Sequence, residues 1–392
     1  MKLFAIVFTL FVACAEIDIC IPSFPEIKEL FNLSAFKTEM ILTINLLCHC
    51  IGAIVVGGLG DKYGKKKIIT IGLSIFILGS VICSFANSFE SLIIGRMLQG
   101  FGVSAPMVLM IIFIFDIFPK EKQVGIVTMT NGVTTIAVCF APIVGSYIDY
   151  WFDWHMNFIV LLILGIISMV LHLCFIPNDD LNLLKKKSSR DNYLTVFKDK
   201  VTLLYILAVC TSAGAYYTFV GMAPIIYMQN LGVDLKNFGF YQTSLTLAFG
   251  FFSMIIARVC GVIGNRVCTI ISITFIATFI IFNSVFIFFG VSNPMTITIA
   301  MLFLSIGFVY PGNTLYAVAM QRDEENKGKI SGMMTVVKWV VTIIGVQMAS
   351  YFYDDSFQST SITIAVLVFI SIIIIVKLAF SDRDLNSILL KK

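Results

Sequence analysis

The sequence predicts an all-α membrane protein, with twelve transmembrane helices in two pseudo-symmetric six-helix bundles. Three observations carry that expectation. Of 392 residues, 58% are hydrophobic and 13% charged, and the mean hydropathy is +0.96, outside the range of soluble domains. The apolar residues fall into twelve runs, and Lys and Arg are sorted to one side of them. A hydrocarbon core of about 30 Å takes roughly 20 apolar residues per helix, so twelve spans consume roughly 240 residues and leave about 150 for connections. That remainder excludes a large extramembrane catalytic domain. Charge sorted by membrane side, rather than gathered in one patch, excludes a nucleic-acid partner despite the net charge of +4.

In chain order, the first six runs cover 3–22, 39–58, 68–86, 91–115, 124–147 and 156–176, and the next six cover 201–227, 238–257, 268–290, 295–319, 329–351 and 359–379. Continuous runs such as Ile68 to Ala86 favour helices, because transmembrane strands read as segments of about 10 residues with alternating polarity. The first run is read as a retained helix and not a cleaved leader. No small-x-small site follows it, and it continues through Glu16 and Asp18 to Pro22. The longest polar interval divides the chain into a bundle at 1–177, a cytoplasmic linker at 178–200 and a second bundle at 201–392.

Orientation follows from positive charge, which accumulates in cytoplasmic loops. With both termini cytoplasmic, 22 of the 27 Lys and Arg residues lie in cytoplasmic segments. Lys28, Lys37 and Lys236 fall on the other side, while Arg96 and Lys338 lie within spans. The ten cysteines sit mostly in apolar runs, which makes them small buried hydrophobes rather than disulfides. Cys48, His49 and Cys50 are adjacent on one helix and point to different faces, so no metal site is expected there.

Charges inside spans cost about 2.5–3.5 kcal/mol each on insertion scales and need a reason. Five groups stand out: Glu16, Asp18, His49, Arg96 and Lys338. Glu16 and Asp18 lie in the outer half of the first span, and Arg96 lies roughly 8 Å below the outer surface in the fourth, so the three can share a depth. The two acids are separated by about 200° around their helix and cannot both face one partner. If Asp18 pairs with Arg96 it stays charged, and an unpaired carboxylate is then the proton carrier; which acid does which is open. His172, near the cytoplasmic end of the sixth span, is expected at the interface. Lys338 falls near the midplane of the eleventh span. It either neutralises a carboxylate of the first span or binds an anionic substrate.

The loop after the second span carries Gly57, Asp61, Lys62, Gly64, Lys65 and Lys66, and a worn counterpart, Gly261 to Arg266, follows the eighth. Duplicated six-helix halves are the pattern of a rocking transporter. The first loop resembles the G-x-x-x-D-[RK]-x-G-[RK]-[RK] signature of the major facilitator superfamily. In that family an acid at the cytoplasmic end of helix 4 joins the cluster, and Asp116 occupies its place. Asp18-Ile19-Cys20-Ile21-Pro22-Ser23-Phe24-Pro25 is similar to the D-x-Y-L-P-A-x-P stretch of bicyclomycin-resistance-type drug/proton antiporters. Arg96-Met97-Leu98-Gln99-Gly100 is similar to the family's R-x-x-Q-G motif. Ala141-Pro142-Ile143-Val144-Gly145-Ser146 resembles the antiporter motif G-P-x-x-G-G, with alanine and serine replacing two glycines.

The resemblance implies a major facilitator fold and a proton-coupled secondary active transporter, a multidrug efflux antiporter of a bacterial inner (plasma) membrane. It would export drugs or other small amphipathic molecules by alternating access. Proton coupling falls to Glu16, Asp18 and Arg96; the substrate cavity to His49, Gln99, Tyr216, Tyr217, Tyr310, Asn313 and Lys338. Gating falls to Gly57, Asp61, Lys62, Gly64, Lys65 and Asp116, and the helix 5 motif contributes Pro142 and Gly145. The expected partners are a small-molecule substrate, protons and the lipid bilayer, with a monomer as the working unit. No cofactor or enzymatic activity is expected, and nothing matches the G-x-x-x-x-G-K-[ST] phosphate loop of an ATPase. Uptake of a metabolite or organic anion by symport stays open because of Lys338. A transporter-like sensor is disfavoured by short polar tails.

Overall fold

In the computed structural model, residues 1–178, 199–290, 293–322 and 327–381 are described, so the expected linker at 178–200 lies outside them except at its ends. Among these residues, twelve helices are long and apolar enough to cross a membrane. The first span is α1 (Lys2–Cys20), which passes through a tight turn at Ile21–Ser23 into α2 (Phe24–Leu30). Then follow α3 (Ala35–Tyr63), α4 (Lys65–Ser84), α5 (Phe89–Ile117), α6 (Lys120–Trp151) and α7 (Trp154–Phe175). The second series is α8 (Lys200–Pro224), α9 (Leu235–Ile263), α10 (Asn265–Phe289), α11 (Pro294–Tyr310), the short α12 (Tyr316–Arg322), α13 (Lys327–Tyr351) and α14 (Phe357–Ser381). Wide helical turns at Ile225–Asn230 and Pro311–Leu315 extend α8 and join α11 to α12.

Polar residues between the apolar runs start the helices. Ser34 accepts from the Lys37 amide ahead of α3 at 3.3 Å, and Ser88 and Ser91 form a reciprocal capping box on α5. Asp153, Asp199 and Asn293 cap α7, α8 and α11 in the same manner. The chain reverses between α3 and α4 on one residue, Gly64 (φ 96°), and between α9 and α10 on one residue, Gly264 (φ 84°). Both positions need a left-handed backbone that a side chain would strain. At each hinge the glycine amide bonds back four residues, Gly64 to Gly60 at 3.1 Å and Gly264 to Cys260 at 3.0 Å. The two loops therefore share a hinge geometry.

The chain forms two compact units, one comprising 1–190 with 234–240 and the other 191–233 with 241–392. In the first, α4 and α5 touch backbone to backbone through glycines spaced seven apart on each helix. A methyl on Gly79 would meet the Gly95 carbonyl at 2.7 Å, and one on Gly72 would meet the Gly102 carbonyl at 2.7 Å. Small residues at such spacing are what helix association in lipid relies on, since apolar side chains gain little there from leaving the hydrocarbon. Apolar packing of Ile6, Leu10, Ile69, Leu109 and Phe113 closes the unit toward the lysine-rich Gly64 end. Large apolar side chains such as Ile54, Leu78, Ile163 and Phe288 are exposed, as a lipid-facing surface requires.

Candidate functional site

The centre of the first unit is a closed polar network. Arg96 of α5 forms an ion pair with Glu16 of α1, with both side chains fully buried. Asn45 of α3 donates through Nδ2 to Glu16 Oε1 at 2.9 Å and to the Arg96 carbonyl at 3.1 Å. Arg96 Nε donates to the Ile41 carbonyl at 3.2 Å, and its Nη1 also donates to Gln99 Oε1 at 2.9 Å. Gln99 Nε2 continues to Ser80 Oγ on α4 at 2.9 Å. Four helices thus meet in one network, three of them at the guanidinium and α4 through Gln99. A buried cation is tolerable because its Nε and Nη1 donors meet a counter-ion and carbonyls. Arg96 Nη2 and Glu16 Oε2 meet no partner among the described residues, which leaves the network with spare hydrogen-bonding capacity.

Local sequence makes the convergence possible. A Cβ on Gly100 would run into the Asn45 carbonyl oxygen, so glycine there lets α5 lie directly on α3 where Asn45 turns inward. Gly145 of α6 does the same against the Ile19 carbonyl of α1. Asn157 of α7 donates to the Gly145 carbonyl at 3.3 Å and to Ser23 Oγ at 2.8 Å. The G-P-x-x-G-G-like segment around Pro142 therefore presses on the turn of helix that carries Asp18.

Asp18 is 7% exposed and accepts no hydrogen bond and no ion pair among the described residues. The guanidinium reaches Glu16, not Asp18. His49 is buried two turns beyond Ile41 on α3. His172, expected at the interface, is instead fully buried and lies 3.1 Å from the Lys66 carbonyl through Nε2. That carbonyl, in the first turn of α4, offers the ring a partner that a purely apolar environment would not.

At the lysine-rich end, Lys65 forms an ion pair with Asp116 at the end of α5. Gly64 supplies the hinge, while Asp61 and Lys62 are exposed. Lys62 lies 4.9 Å from the Tyr63 ring centroid. Gly60, not Gly57, makes the close approach, at 2.8 Å from a Leu109 methyl were it given a Cβ; around Gly57 the space is open.

The second unit contains an aromatic cluster. Tyr216 and Tyr217 of α8 meet edge to face at 5.4 Å, Tyr217 lies 5.3 Å from Trp339 of α13, and Phe308 of α11 stacks on Tyr216 at 6.2 Å. Lys338 places its ammonium 4.0 Å from the Trp339 centroid and 5.5 Å from that of Tyr217. Tyr310 is not part of this cluster. It is buried between α10 and α11, accepting from Thr269 Oγ1 at 2.9 Å. Asn313 bonds to Ser253 Oγ at 3.0 Å and to the Val309 carbonyl at 2.9 Å.

This arrangement agrees with what comparison with known proteins finds. Residues 6–346 match the model of the Major Facilitator Superfamily, and the chain belongs to that family of membrane transporters. It is 27% identical over 352 residues to a bicyclomycin resistance protein homolog of Haemophilus influenzae, covering 87% of this chain and 86% of that protein. It is 28% identical to an uncharacterized MFS-type transporter of Bacillus subtilis, over 81% of each, and 26% identical to the multidrug resistance protein MdtL of Shigella dysenteriae over 60% of each. A crystal structure of a D-xylose-proton symporter superposes with a TM-score of 0.75 at 13% identity, covering 96% of both chains. A peptide transporter in complex with sulfate gives 0.77 at 11% identity, covering 98% of this chain and 95% of that one.

Proposed function

We propose that this transporter is a proton-coupled exporter of drugs or similar small amphipathic molecules. The carrying observation is the division between two carboxylates on one helix. Glu16 is bound by Arg96, whereas Asp18 has no partner among the described residues. The bound one positions the site; the other takes a proton from outside as substrate leaves, then returns inward and releases it. Each pH unit of gradient supplies about 1.4 kcal/mol, and membrane potential adds about 2.3 kcal/mol per charge per 100 mV. Likeness to proteins named for bicyclomycin and multidrug resistance supports export.

In this reading the membrane is a bacterial inner membrane and both termini face the cytoplasm, as does the segment around Lys185 between bundles 1–177 and 201–392. The protein acts as a monomer, with no cofactor, no nucleic-acid partner and no enzymatic step. Purified protein in liposomes with an imposed pH gradient of either sign, tested against lipophilic cations and small organic anions, decides the matter. Uphill cation movement that follows the gradient supports the reading; transport indifferent to the gradient overturns it.

One observation favours a second reading, uptake of an organic anion by symport. Lys338 places a positive charge among Tyr217 and Trp339, where an aromatic anion finds both ring surfaces and a counter-charge.

A further inference from the structure

Besides Glu16 and Asp18, the first unit buries a further acidic side chain, Glu39, that the Arg96 network does not use. Glu39 lies in the second turn of α3 and is 0% exposed. Among the described residues, neither of its carboxyl oxygens meets a hydrogen-bond donor. Among the described residues it forms no ion pair, and no charged neighbour offsets its burial. Its backbone is ordinary helix, with its carbonyl accepting from Thr43 Oγ1 at 3.0 Å.

The charged groups on the surrounding elements are engaged or distant. On α5, Arg96 is committed elsewhere, its Nε to the Ile41 carbonyl and its Nη1 to Glu16 and Gln99. Glu90, at the start of α5, is exposed. On α2, which packs against the start of α3, Glu26 and Glu29 are exposed and Lys28 does not reach Glu39. Lys37, two residues earlier on α3, is exposed and points to another side of the helix, and His49 lies ten residues further on. The lysines of α4 sit at its opposite end.

A carboxylate anion held this way loses its hydration and receives neither donor nor counter-charge in return, a cost of many kcal/mol that proteins avoid by keeping the group neutral. A neutral acid fits the site. We infer that Glu39 is a proton-binding site of the transport cycle, distinct from the carboxylates of α1. Its place is two residues from the carbonyl that holds Arg96, so a shift of α3 that admits water to Glu39 also loosens the guanidinium. Proton loss from Glu39 is then tied to rearrangement of the Glu16–Arg96 pair. The role in the cycle rests on the proton-coupled reading above, whereas the presence of the proton does not.

The test compares wild-type protein with Glu39→Gln and Glu39→Asp in lipid nanodiscs by infrared spectroscopy at neutral pH. Glutamine keeps the volume and removes the acid, and aspartate guards against a glutamine variant that does not fold. The expected result is loss of a neutral-carboxyl C=O band in Glu39→Gln and a shifted band in Glu39→Asp. Loss of carboxylate absorption with the neutral-acid region unchanged overturns the site. Proton release on adding tetraphenylphosphonium to weakly buffered protein is then measured. Reduced release from Glu39→Gln supports a role in the cycle, and release equal to wild type overturns it. Absence of any release from wild type, with the infrared band assigned to Glu39, counts against the proton-coupled reading and leaves the proton on Glu39 standing.

Discussion

Arg96 and Glu16 pair across α5 and α1 with neither side chain exposed to solvent, and Asn45 ties the two together by bonding to the carboxylate of one and the carbonyl of the other. Removing one partner of such a pair strands the other charge in a medium that cannot solvate it, at a cost of about 3–5 kcal/mol. Arg96→Ala and Glu16→Ala should each lower the melting temperature of the purified protein sharply. The double variant Arg96→Gln/Glu16→Gln should recover part of that loss. A double-mutant cycle with purely additive effects would show that the pair is not coupled.

Asn45 should behave as a positioning residue. Asn45→Leu leaves the ion pair in place but removes its bridge, at about 1–3 kcal/mol for an unsatisfied buried acceptor. Asn45→Gln should restore more transport than Asn45→Leu, measured as initial efflux rate in cells of matched expression. Equal rates in the two variants would argue that the bridge is incidental.

Asp18 separates coupling from folding. Asp18→Asn should fold as well as wild type, lose uphill movement driven by a pH gradient and keep exchange of substrate down its own gradient. Retained gradient-driven transport in both Asp18→Asn and Glu16→Gln would remove the first span from the coupling scheme.

The spans, the two-hinge repeat and the burial of Glu16, Asp18 and Arg96 were legible because insertion energy leaves a strong mark on composition: a run of twenty apolar residues interrupted by Arg96 has few explanations. Which acid meets Arg96 was not legible. A separation of two residues fixes the angle between Glu16 and Asp18 but not the rotation of α1 about its own axis, which Gly145 sets by pressing on Ile19. Glu39 and Asn45 escaped notice for different reasons. Hydropathy places the second span at 39–58, whereas α3 begins at Ala35, so Glu39 falls at the edge of the apolar run although the helix buries it. Asn45 is uncharged and stands out only once its partners are known.

Glycine contacts give a paired prediction on stability. Gly145→Ala places a methyl on the Ile19 carbonyl oxygen, and overpacking of this kind costs about 1–3 kcal/mol. Gly57→Ala meets nothing within 4 Å and removes a flexible residue from a helix, so it should be neutral or stabilising by up to about 1 kcal/mol. Thermal unfolding of the two variants in detergent should order them on opposite sides of wild type. A Gly145→Ala protein as stable as wild type would mean that α6 does not bear on α1 as described.

The ion pair between Lys65 and Asp116 spans the hinge loop and α5, but Asp116 is 43% exposed. Exposed pairs contribute about 0–1 kcal/mol and weaken with salt, a scale suited to a latch and too small to hold the fold. Asp116→Asn should change transport rate more than melting temperature, and the swap Lys65→Asp/Asp116→Lys should recover rate relative to either single change. Asp61→Asn should lower turnover and leave substrate binding largely intact. Wild-type turnover in both Asp61→Asn and Asp116→Asn would rule out gating by this loop.

Lys338 decides between export of cations and uptake of anions. Its ammonium lies over the faces of Trp339 and Tyr217, an attraction worth about 0.5–2 kcal/mol depending on how dry the site is. A lipophilic cation would compete with the ammonium for those same faces and feel its repulsion, which strengthens as the local dielectric falls. An organic anion would use the ammonium directly. For a cation exporter, Lys338→Met should therefore preserve or tighten binding of tetraphenylphosphonium, because the rings are released and the like charge is gone. For an anion transporter the same change should abolish binding, with Lys338→Arg retaining part of it. Quenching of the Trp339 fluorescence offers a direct readout, provided the other two tryptophans are replaced by phenylalanine. Anion binding lost in Lys338→Met, with no cation binding in either protein, would reject the exporter in favour of the symporter.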